Sequence, residues 1–452
     1  MATILKDTIR VGCGAGQSDD RLPPAADLAS YGNLDYLVFE CLAERTIGRE
    51  TQSKIDNPEM GYTPSLHDRF RAVLPICQEK NIRIVSNMGA ANPLAAARAM
   101  RREALDLGLG DIPSAVVLGD DVTEIIRNKP DLSLIETGEP LEAILPRLIS
   151  ANAYLGADVV AQAIGTGAPV VLTGRVADPS LFLAPMLYEF GWSYEDLDKL
   201  AIGTITGHLL ECSSSLTGGC FSWPGRKEVP NLADLGYPLA EITKNGNVRI
   251  EKTPGSGGRL DVMTCTEQLL YEMHDPEEYI TPDCILDISD VELVQQGRDE
   301  VAVLGAKARR RTDTYKVVVG YTDGYIGEGE VSFGGIDAVA RANMAADLVK
   351  ERLNKQGFTY EDYRVDLIGM SSLHGSPDTR IEPYEVRLRV AGRSQSRKAA
   401  EAVGFEVRSM HMHGPGGAGG GKGPFVREVL AVRSVLLPRE LVSTSIVIEG
   451  AL

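Results

Sequence analysis

Four short apolar runs in the first half of the chain end in glycine and polar residues, and this pattern constrains the fold most. The runs are residues 8–11, 36–39, 82–85 and 170–172. A short apolar run that is bounded by turn residues and followed by a helical pattern is typical of a buried parallel strand. Ligands of open α/β sheets bind beyond the carboxyl ends of such strands. The sequence therefore predicts a ligand site at these strand ends.

Polar and charged residues follow directly after these runs and form the candidate ligand-binding rim. The rim residues that we single out are Asp20, Arg21, Glu40, Arg45, Asn87, Asn92, Arg175 and Asp178. Arg175 is a candidate because its guanidinium fork matches a carboxylate or a phosphate. Asp178 either binds the ligand or caps the helix that begins near Pro179. Asn87 and Asn92 either donate hydrogen bonds to a ligand carbonyl or shape a turn and cap the next helix.

Three side chains are candidates for acid–base catalysis. Glu40 ends a very apolar strand, where burial can raise a carboxyl pKa toward the value that a general base needs; an ion pair with a neighbouring arginine is the alternative. Glu211 lies three residues after His208 in a helical pattern, so the two form either a proton-transfer pair or an ordinary helix contact. His413 is the third candidate, since it lies beside a glycine-rich segment.

Two glycine-rich segments are candidates for contact with an anionic ligand. Gly14 and Gly16 belong to a GxGxG run after the first strand, where backbone amides can receive a phosphate; a tight strand–helix turn is the alternative. Segment 414–423 contains Gly417, Gly420 and Lys422 and matches GxxxxGK, but glycine replaces the residue that binds Mg²⁺ in a P-loop. This segment either holds the phosphates of a coenzyme A thioester, with Lys422 as counter-charge, or is a surface loop.

His411 and His413 are two residues apart in a segment that we expect to be a strand, so both side chains would share one face. Two histidines on one face could bind a metal ion, but the sequence offers no evident third ligand. The seven cysteines form no CxxC pair, which argues against a zinc site and against a disulfide framework. We therefore expect no metal site.

The pattern of apolar residues changes near residue 225 and indicates two domains. Residues 1–225 alternate strand and helix patterns, which predicts an α/β domain with a mostly parallel sheet. Within it we expect a helix over 138–155 and a strand over 158–162. Residues 226–452 contain strands that alternate polar and apolar residues, which predicts an α+β domain that carries the glycine-rich loop 414–423.

Composition narrows the classes of partner. The 452 residues carry a net charge of −17, which argues against nucleic acid or an anionic membrane, because phosphate binding needs clustered Lys and Arg. No apolar stretch is long enough for a membrane span, and the N-terminal residues lack the hydrophobic core of a signal peptide. We therefore expect a cytoplasmic protein that binds a small molecule.

Long motifs in the chain resemble those of the acyclic terpene utilisation (AtuA-like) family. They include VGCGAGQSDDRLPPAADL, LDYLVFECLAERT, VVLTGRVADPSLFLAPMLYEFGW, GTITGHLLECSSSLTGG and HGPGGAGGGKGP. The resemblance implies a pathway that degrades acyclic terpenoids through branched acyl-CoA intermediates, and it assigns no reaction step. Some members of the family continue into a small ferredoxin-fold domain. This chain ends before such an extension, so the resemblance leaves room for a separate small partner subunit of that fold.

Together these features predict an enzyme of carboxylic-acid or branched acyl-CoA catabolism, of the hydratase or lyase type. Glu40, Glu211 or His413 would transfer protons, and Arg175 would bind the acid. The substrate would be a small carboxylate or an acyl-CoA, and we expect a homo-oligomer; the sequence names no resident cofactor. The alternative is a non-catalytic subunit that binds acyl-CoA or a partner enzyme.

Overall fold

The computed structural model describes residues 6–375 and 383–451, which divide into two units. The first unit comprises Met1–Gly320 and Val432–Leu452, and the second comprises Tyr321–Ala431. The units thus divide the chain at other points than the expected boundary near residue 225, because strands that follow residue 225 pair with the first strand of the chain. None of the described helices has the length and apolarity that a membrane span requires.

Both units contain β-strands. In chain order they are β1 (Thr8–Ala15), β2 (Tyr36–Phe39), β3 (Arg83–Ser86), β4 (Ser114–Leu118), β5 (Leu148–Ala153), β6 (Val170–Thr173), β7 (Pro238–Thr243), β8 (Val248–Lys252), β9 (Tyr279–Ile280), β10 (Cys284–Asp287), β11 (Glu292–Gly297), β12 (Glu300–Leu304), β13 (Lys307–Arg310), β14 (Thr314–Gly334), β15 (Asp362–Ile368), β16 (Glu385–Ser394), β17 (Ala418–Pro438) and β18 (Ser445–Glu449).

Helices alternate with strands in the first half of the chain and are sparser afterwards. They are α1 (Pro23–Tyr31), α2 (Glu44–Asp56), α3 (Leu66–Lys80), α4 (Pro93–Asp106), α5 (Thr123–Arg127), α6 (Ala157–Gly165), α7 (Asp178–Phe190), α8 (Leu197–Glu211), α9 (Val262–Leu269), α10 (Ala338–Lys355) and α11 (Arg397–His413).

The first unit is built on a ten-stranded sheet with the order β11-β12-β8-β7-β1-β2-β3-β6-β4-β18. Its centre, from β1 through β2, β3 and β6 to β4, is parallel, as the apolar runs predict. These strands are apolar and buried along nearly their whole length because helices cover both faces of a parallel sheet. The prediction of a mixed α/β fold is therefore confirmed.

Antiparallel strands extend this sheet at both edges. On one side β7 pairs with β1 and β8 pairs with β7; on the other side β18, near the end of the chain, pairs with β4. A three-stranded sheet, β13-β10-β9, also belongs to the first unit. The segment after residue 225 thus completes the sheet of the N-terminal half, although its alternating pattern suggested a sheet of its own.

Two predicted elements in the first unit are wrong. Residues 138–155 were expected to be helical, but they contain two short 3₁₀ turns followed by strand β5. Tyr154, the residue after β5, donates its backbone N–H to the Lys316 carbonyl at 2.9 Å. Residues 158–162, expected to be a strand, lie within helix α6. The Asp283 carboxylate accepts the Ala157 N–H at 2.8 Å at the start of that helix, and this long-range contact is not visible in the local pattern.

The second unit is an antiparallel sheet with two long helices. Its strands follow the order β15-β16-β14-β17, and α10 and α11 pack their apolar residues against it around Phe333, Val349 and Leu388. The expected α+β character of this part is present. His411 and His413 lie on α11, so the prediction that they occupy a strand is wrong. Residues two apart on a helix do not face each other, which removes the reason for a metal ion shared between them.

Close packing against β1 explains part of the first glycine-rich segment. Gly12 and Gly14 lie within β1 rather than after it, which corrects the expected loop. A Cβ atom at Gly14 would lie 2.4 Å from the Phe39 ring, and one at Gly16 would lie 2.7 Å from the Glu211 carbonyl. These distances are too short for any side chain, so the glycines allow β1 to approach β2 and the end of α8.

We predict that Gly14→Ala lowers the free energy of unfolding by about 1–3 kcal/mol, because the added methyl group overpacks the core at Phe39. Gly48→Ala is the matched control: Gly48 lies inside helix α2, and its Cβ would meet no atom within 4 Å. That change should be neutral or stabilise the protein by about 0.5–1 kcal/mol. Denaturant midpoints measure both effects, and an unchanged midpoint for Gly14→Ala would contradict the packing argument.

Candidate functional site

A buried arginine lies at the carboxyl end of β6, in the turn that leads to α7. Only 1% of Arg175 is exposed. One terminal nitrogen donates to the Leu42 carbonyl, and the other lies 2.8 Å from the Asp178 carboxylate. The guanidinium carbon also lies 4.1 Å from the centre of the Tyr154 ring. A guanidinium that is buried to this extent requires such partners, because a buried ion without them would strongly destabilise the fold.

The backbone of Arg175 is held by a second buried carboxylate. Asp120, just beyond β4, accepts the Arg175 N–H at 2.8 Å and a hydrogen bond from the Asn152 amide at 2.9 Å. Residue 174 must be glycine here, because a Cβ would lie 2.4 Å from both Asp120 carboxylate oxygens. Burial raises the pKa of Asp120 to about 6, against the lowering effect of these hydrogen bonds. Asp120 therefore fixes the turn that presents Arg175.

Glu40 lies at the end of β2 on the same side of the sheet. Its carboxylate accepts the Leu42 N–H at 2.8 Å and the Asn87 amide at 2.9 Å, and lies 3.9 Å from Arg175. The Asn87 side chain also accepts a hydrogen bond, from the Cys41 N–H to its amide oxygen at 2.8 Å. Burial raises the pKa of Glu40, and the charge of Arg175 opposes that shift. Glu40 and Asn87 thus form a buried support for Arg175.

Glu44, at the start of α2, is a further carboxylate in the field of Arg175. It accepts a hydrogen bond from the Tyr154 hydroxyl at 2.6 Å, and the Lys316 ammonium lies 3.4 Å away. Burial by itself would raise the pKa of Glu44, but the Tyr154 hydrogen bond and the charges of Arg175 and Lys316 lower it to about 2. Glu44 is therefore ionised throughout the physiological range.

Asp178, the first residue of α7, has the opposite tendency. Burial raises its pKa to about 7; the charge of Arg175 opposes this shift, while the charges of Glu40 and Glu44 add to it. Of the Asp178 side-chain surface, 33% is exposed to solvent. The N-cap position of α7 is Ala177, and the described partner of the Asp178 carboxylate is the Arg175 guanidinium. Asp178 can therefore hold or release a proton near neutral pH.

A fourth carboxyl group belongs to the same electrostatic cluster. Glu211, the last residue of α8, lies 3.1 Å from Nδ1 of His208, whose Nε2 is 3.1 Å from the Leu269 carbonyl. Burial raises the pKa of Glu211 to about 7, with His208 opposing and the charge of Asp178 adding to the shift. Hydrogen bonds to Glu211 outweigh burial and raise the pKa of His208. The predicted His208–Glu211 pair is thus a real contact.

A cavity of about 460 Å³ in the first unit opens onto part of this cluster. Its ionisable lining residues are Glu44, Tyr154, Asp178, Glu272, His274, Tyr279 and Lys316, and three threonines add hydroxyl groups. Ala177, Pro179, Ile280, Pro282 and Leu436 supply apolar lining. Arg175 and Glu40 lie behind this lining, so the cavity presents one low-pKa carboxylate and one raised-pKa carboxyl group together with an ammonium group.

Comparison with known proteins identifies the family of the chain. The model of the family described as "Acyclic terpene utilisation family protein AtuA" matches residues 9–448. The chain belongs to this family. No curated protein and no solved structure matches it. Membership links this AtuA family protein to acyclic terpene utilisation, and the match over nearly the whole chain includes every candidate residue named above.

Three sequence-predicted residues of this AtuA family protein lie outside the described lining of the cavity, and their ligand-binding roles stay predictions. Asn92 caps α4, accepting the Ala95 N–H at 3.4 Å, and donates to the Pro58 and Met60 carbonyls. Arg21 is exposed and donates to the Ala233 carbonyl at 2.8 Å. Arg45 is exposed on α2. None of these three lines the 460 Å³ cavity in the described part of the chain.

Gly16 and Asp20 remain near the sheet edge but line a different cavity. The Asp20 carboxylate accepts the Gly16 N–H at 2.8 Å, which closes the turn after β1. Both residues line a second cavity of about 380 Å³ together with Cys212 and Gln268. Their predicted role in ligand binding stays a prediction, whereas Gly14 is buried against Phe39 and presents no surface.

The remaining predicted residues belong to the second unit. His413 ends α11 and is exposed, and Gly417, Gly420 and Lys422 lie in the following turn and at the start of β17. A helix precedes this glycine segment and a strand follows it. A P-loop has the reverse order, with the helix after the glycines, so its phosphate-binding geometry is not formed here. Their catalytic and ligand-binding roles stay predictions.

Sequence reasoning missed several residues of the cavity. Tyr154 follows β5, which was expected to be a helix, and Lys316 lies on β14. Tyr279 lies on the short strand β9 and stacks 5.4 Å from His208. Their positions depend on strand pairing over long sequence distances, which leaves no local signal. Among residues 6–375 and 383–451, no three His, Cys, Asp or Glu side chains are grouped as metal ligands.

We predict that the free energy of unfolding falls as pH rises from about 5 to 8. The pKa of Glu211 is raised from 4.5 to about 7 in the folded protein, so the folded state retains a proton that the unfolded chain releases in this window. Glu211→Gln should remove about 1–3 kcal/mol of this pH-dependent change. Thermal unfolding at several pH values measures it.

Asp111→Asn is the control for this slope. Its partner Arg101 lowers the pKa of the exposed Asp111 below 3.8, so this residue titrates outside the window. The Asp111 variant should keep the wild-type slope between pH 5 and 8. A Glu211→Gln protein with an unchanged slope would show that Glu211 is not protonated in the folded state.

Proposed function

We propose that this protein adds water to, or eliminates it from, a branched carboxylic acid or its acyl-CoA thioester in the 460 Å³ cavity. The supporting observation is that two carboxyl groups in one cavity have pKa values displaced in opposite directions. The pKa of Glu44 is lowered to about 2, and that of Asp178 is raised to about 7. Such separation supplies a base and an acid at the same pH.

The proposed hydration uses each carboxyl group once. Glu44, ionised, accepts a proton from a water molecule while the water oxygen forms a bond to the β-carbon of the alkene. Asp178, protonated, donates its proton to the α-carbon as the π bond breaks. The product is the β-hydroxy acid, and protons return through the cavity to the original state. Elimination runs through the same groups in reverse.

Arg175 acts in this proposal as a positioning residue. Its guanidinium is buried behind the cavity lining and contacts Asp178, Leu42 and Tyr154 rather than the cavity. Its charge lowers the pKa of Glu44 and opposes the burial-driven rise at Asp178. In this proposal Arg175 does not touch the substrate, although the sequence suggests such a contact; instead it helps to set the pKa values of Glu44 and Asp178. Glu40 lies 3.9 Å from Arg175 and helps to hold it in place.

The lining of the cavity suits the proposed substrate class. Lys316 supplies an ammonium group for the carboxylate or thioester carbonyl, and it lies 4.9 Å from the Tyr154 ring. Ile280, Pro282 and Leu436 form an apolar wall for a branched chain. Family membership in acyclic terpene utilisation favours branched acyl substrates. The expected homo-oligomer and small partner subunit belong to the same proposal, and light scattering of the purified protein tests them.

We predict that Asp178→Asn and Glu44→Gln each lower kcat about 10²–10⁴-fold with branched enoyl-CoA substrates, because each removes one proton-transfer group. The hydration rate of the wild-type protein should fall as pH rises through about 7, because Asp178 must be protonated to donate its proton. Incorporation of oxygen from ¹⁸O-labelled water measures the reaction. Glu124→Gln, on the exposed helix α5, is the control and should keep wild-type rates.

Two outcomes would contradict the proposal. Absence of turnover with the whole panel of branched enoyl and β-hydroxy substrates would exclude it. Equal rates for Asp178→Asn and Glu124→Gln would show that Asp178 is no acid. Substrate binding without turnover, with a second protein copurifying, would instead support the non-catalytic subunit, the alternative that the sequence left open.

A further inference from the structure

A third cavity, with a different character, lies in the second unit. Its volume is about 650 Å³, and it lies along the end of α11 and the start of β17. Arg408, His411, His413 and Lys422 supply its ionisable lining, and Asp and Glu are absent from the described lining residues. The chain as a whole carries a net charge of −17. The cavity therefore concentrates cationic and imidazole groups against the overall charge of the protein.

The glycines beside this cavity fall into two kinds. Gly417 and Gly420 have φ angles of 80° and 59°, a left-handed conformation that favours glycine. Gly416 and Gly419 lack such angles, and a Cβ atom on either would meet nothing within 4 Å. A Cβ on Gly421 would make only an ordinary contact at 3.5 Å. Neither backbone conformation nor internal packing accounts for the last three glycines.

Two arginines hold this glycine segment in place. Arg341 donates to the Gly416 carbonyl at 2.8 Å and to the Ile336 carbonyl at 2.8 Å. Arg352 donates to the His413 carbonyl at 2.6 Å. These bonds hold the turn between α11 and β17, which leads directly to Gly421 and Gly423 in the cavity lining. A preformed open strand allows another molecule to approach the backbone closely.

We propose that this cavity binds a ligand that carries both a phosphate and an apolar or aromatic group. Lys422 and Arg408 would neutralise the phosphate, and the backbone of Gly421 and Gly423, which line the cavity, would contact it at close range. Phe405 and Met412, which are 65% and 80% exposed, border the cavity and would contact the apolar part. Nucleotides and the nucleotide end of coenzyme A share this chemistry.

This inference is independent of the proposed hydration. All residues that carry it lie in Tyr321–Ala431, whereas the proposed acid and base belong to the first unit. Phosphate binding can therefore be present without turnover, and hydration can occur with free acids if the phosphate site is absent. Binding experiments therefore test the phosphate site, and rate measurements test the hydration, independently of each other.

The test is calorimetric titration of the full chain with inorganic phosphate, ADP and coenzyme A. We expect ADP and coenzyme A to bind more tightly than phosphate alone. Lys422→Ala and Arg408→Ala should each weaken binding of ADP at least about tenfold, the usual effect of losing a charge-assisted hydrogen bond. Lys350→Ala, an exposed lysine on α10 outside the cavity, is the matched control and should leave the affinity unchanged.

Gly421→Val tests the glycine argument separately. A Cβ atom on Gly421 makes only an ordinary contact of 3.5 Å with the Glu330 backbone oxygen, and valine is compatible with a strand, so the thermal midpoint should stay near the wild-type value while ADP binding is lost. Tighter binding of coenzyme A than of ADP would identify the coenzyme as the source of the phosphate, and equal affinity would identify the nucleotide part.

Three results would overturn the proposal. One is the absence of binding heat with all three probes. Another is equal affinity of Lys422→Ala and Lys350→Ala for ADP. The third is dissociation of an oligomer by Gly421→Val in a protein that binds no nucleotide, since a second copy of the chain would then be what covers the glycines.

Discussion

The burial of the Arg175 guanidinium is the interaction on which the rest of the site depends. A cation with 1% exposure is tolerable only because Asp178, Glu40, the Leu42 carbonyl and the Tyr154 ring surround it. The dependence is mutual. Three carboxyl groups in one buried cluster would repel each other and take up protons if that cation were removed. The Tyr154 hydrogen bond and the charges of Arg175 and Lys316 keep Glu44 ionised, while burial still leaves Asp178 with a raised pKa.

The parallel sheet explains how such a cluster can assemble. The carboxyl ends of β2, β4 and β6 lie at one edge of the sheet, so Glu40, Asp120 and the turn at Gly174 meet there despite their separation along the chain. Hydrogen bonds from backbone groups then fix each carboxylate: Leu42 N–H on Glu40 and Arg175 N–H on Asp120. The site is rigid behind the cavity, and the groups that face the cavity, Asp178 and Glu44, are the more exposed ones.

Local patterns in the sequence predict the strands and the residues at their ends, but not what lies opposite them. Glu40, Arg175 and Asp178 are found at strand ends because an apolar run followed by a turn marks its own position. Tyr154 and Lys316 could not be found this way, since they meet through the backbone bond between Tyr154 and Lys316 across more than 150 residues. Glycines illustrate the same limit: a Cβ atom on Gly14 would overlap the Phe39 ring, whereas one on Gly419 would meet nothing within 4 Å among the described residues, and the sequence does not distinguish the two glycines.

The cations of the second unit show why net charge is a poor guide to local binding. On β16, Arg387, Arg389 and Arg393 each pair with carboxylates of neighbouring strands, so this face is neutralised within the sheet. Arg408 and Lys422 lie instead beside a cavity whose described lining holds no carboxylate. An excess of acidic residues therefore coexists with a locally cationic surface because the acids are used by cross-strand pairs. An anion that approaches the protein meets overall repulsion, which salt screens within about 10 Å, and attraction at this one cavity.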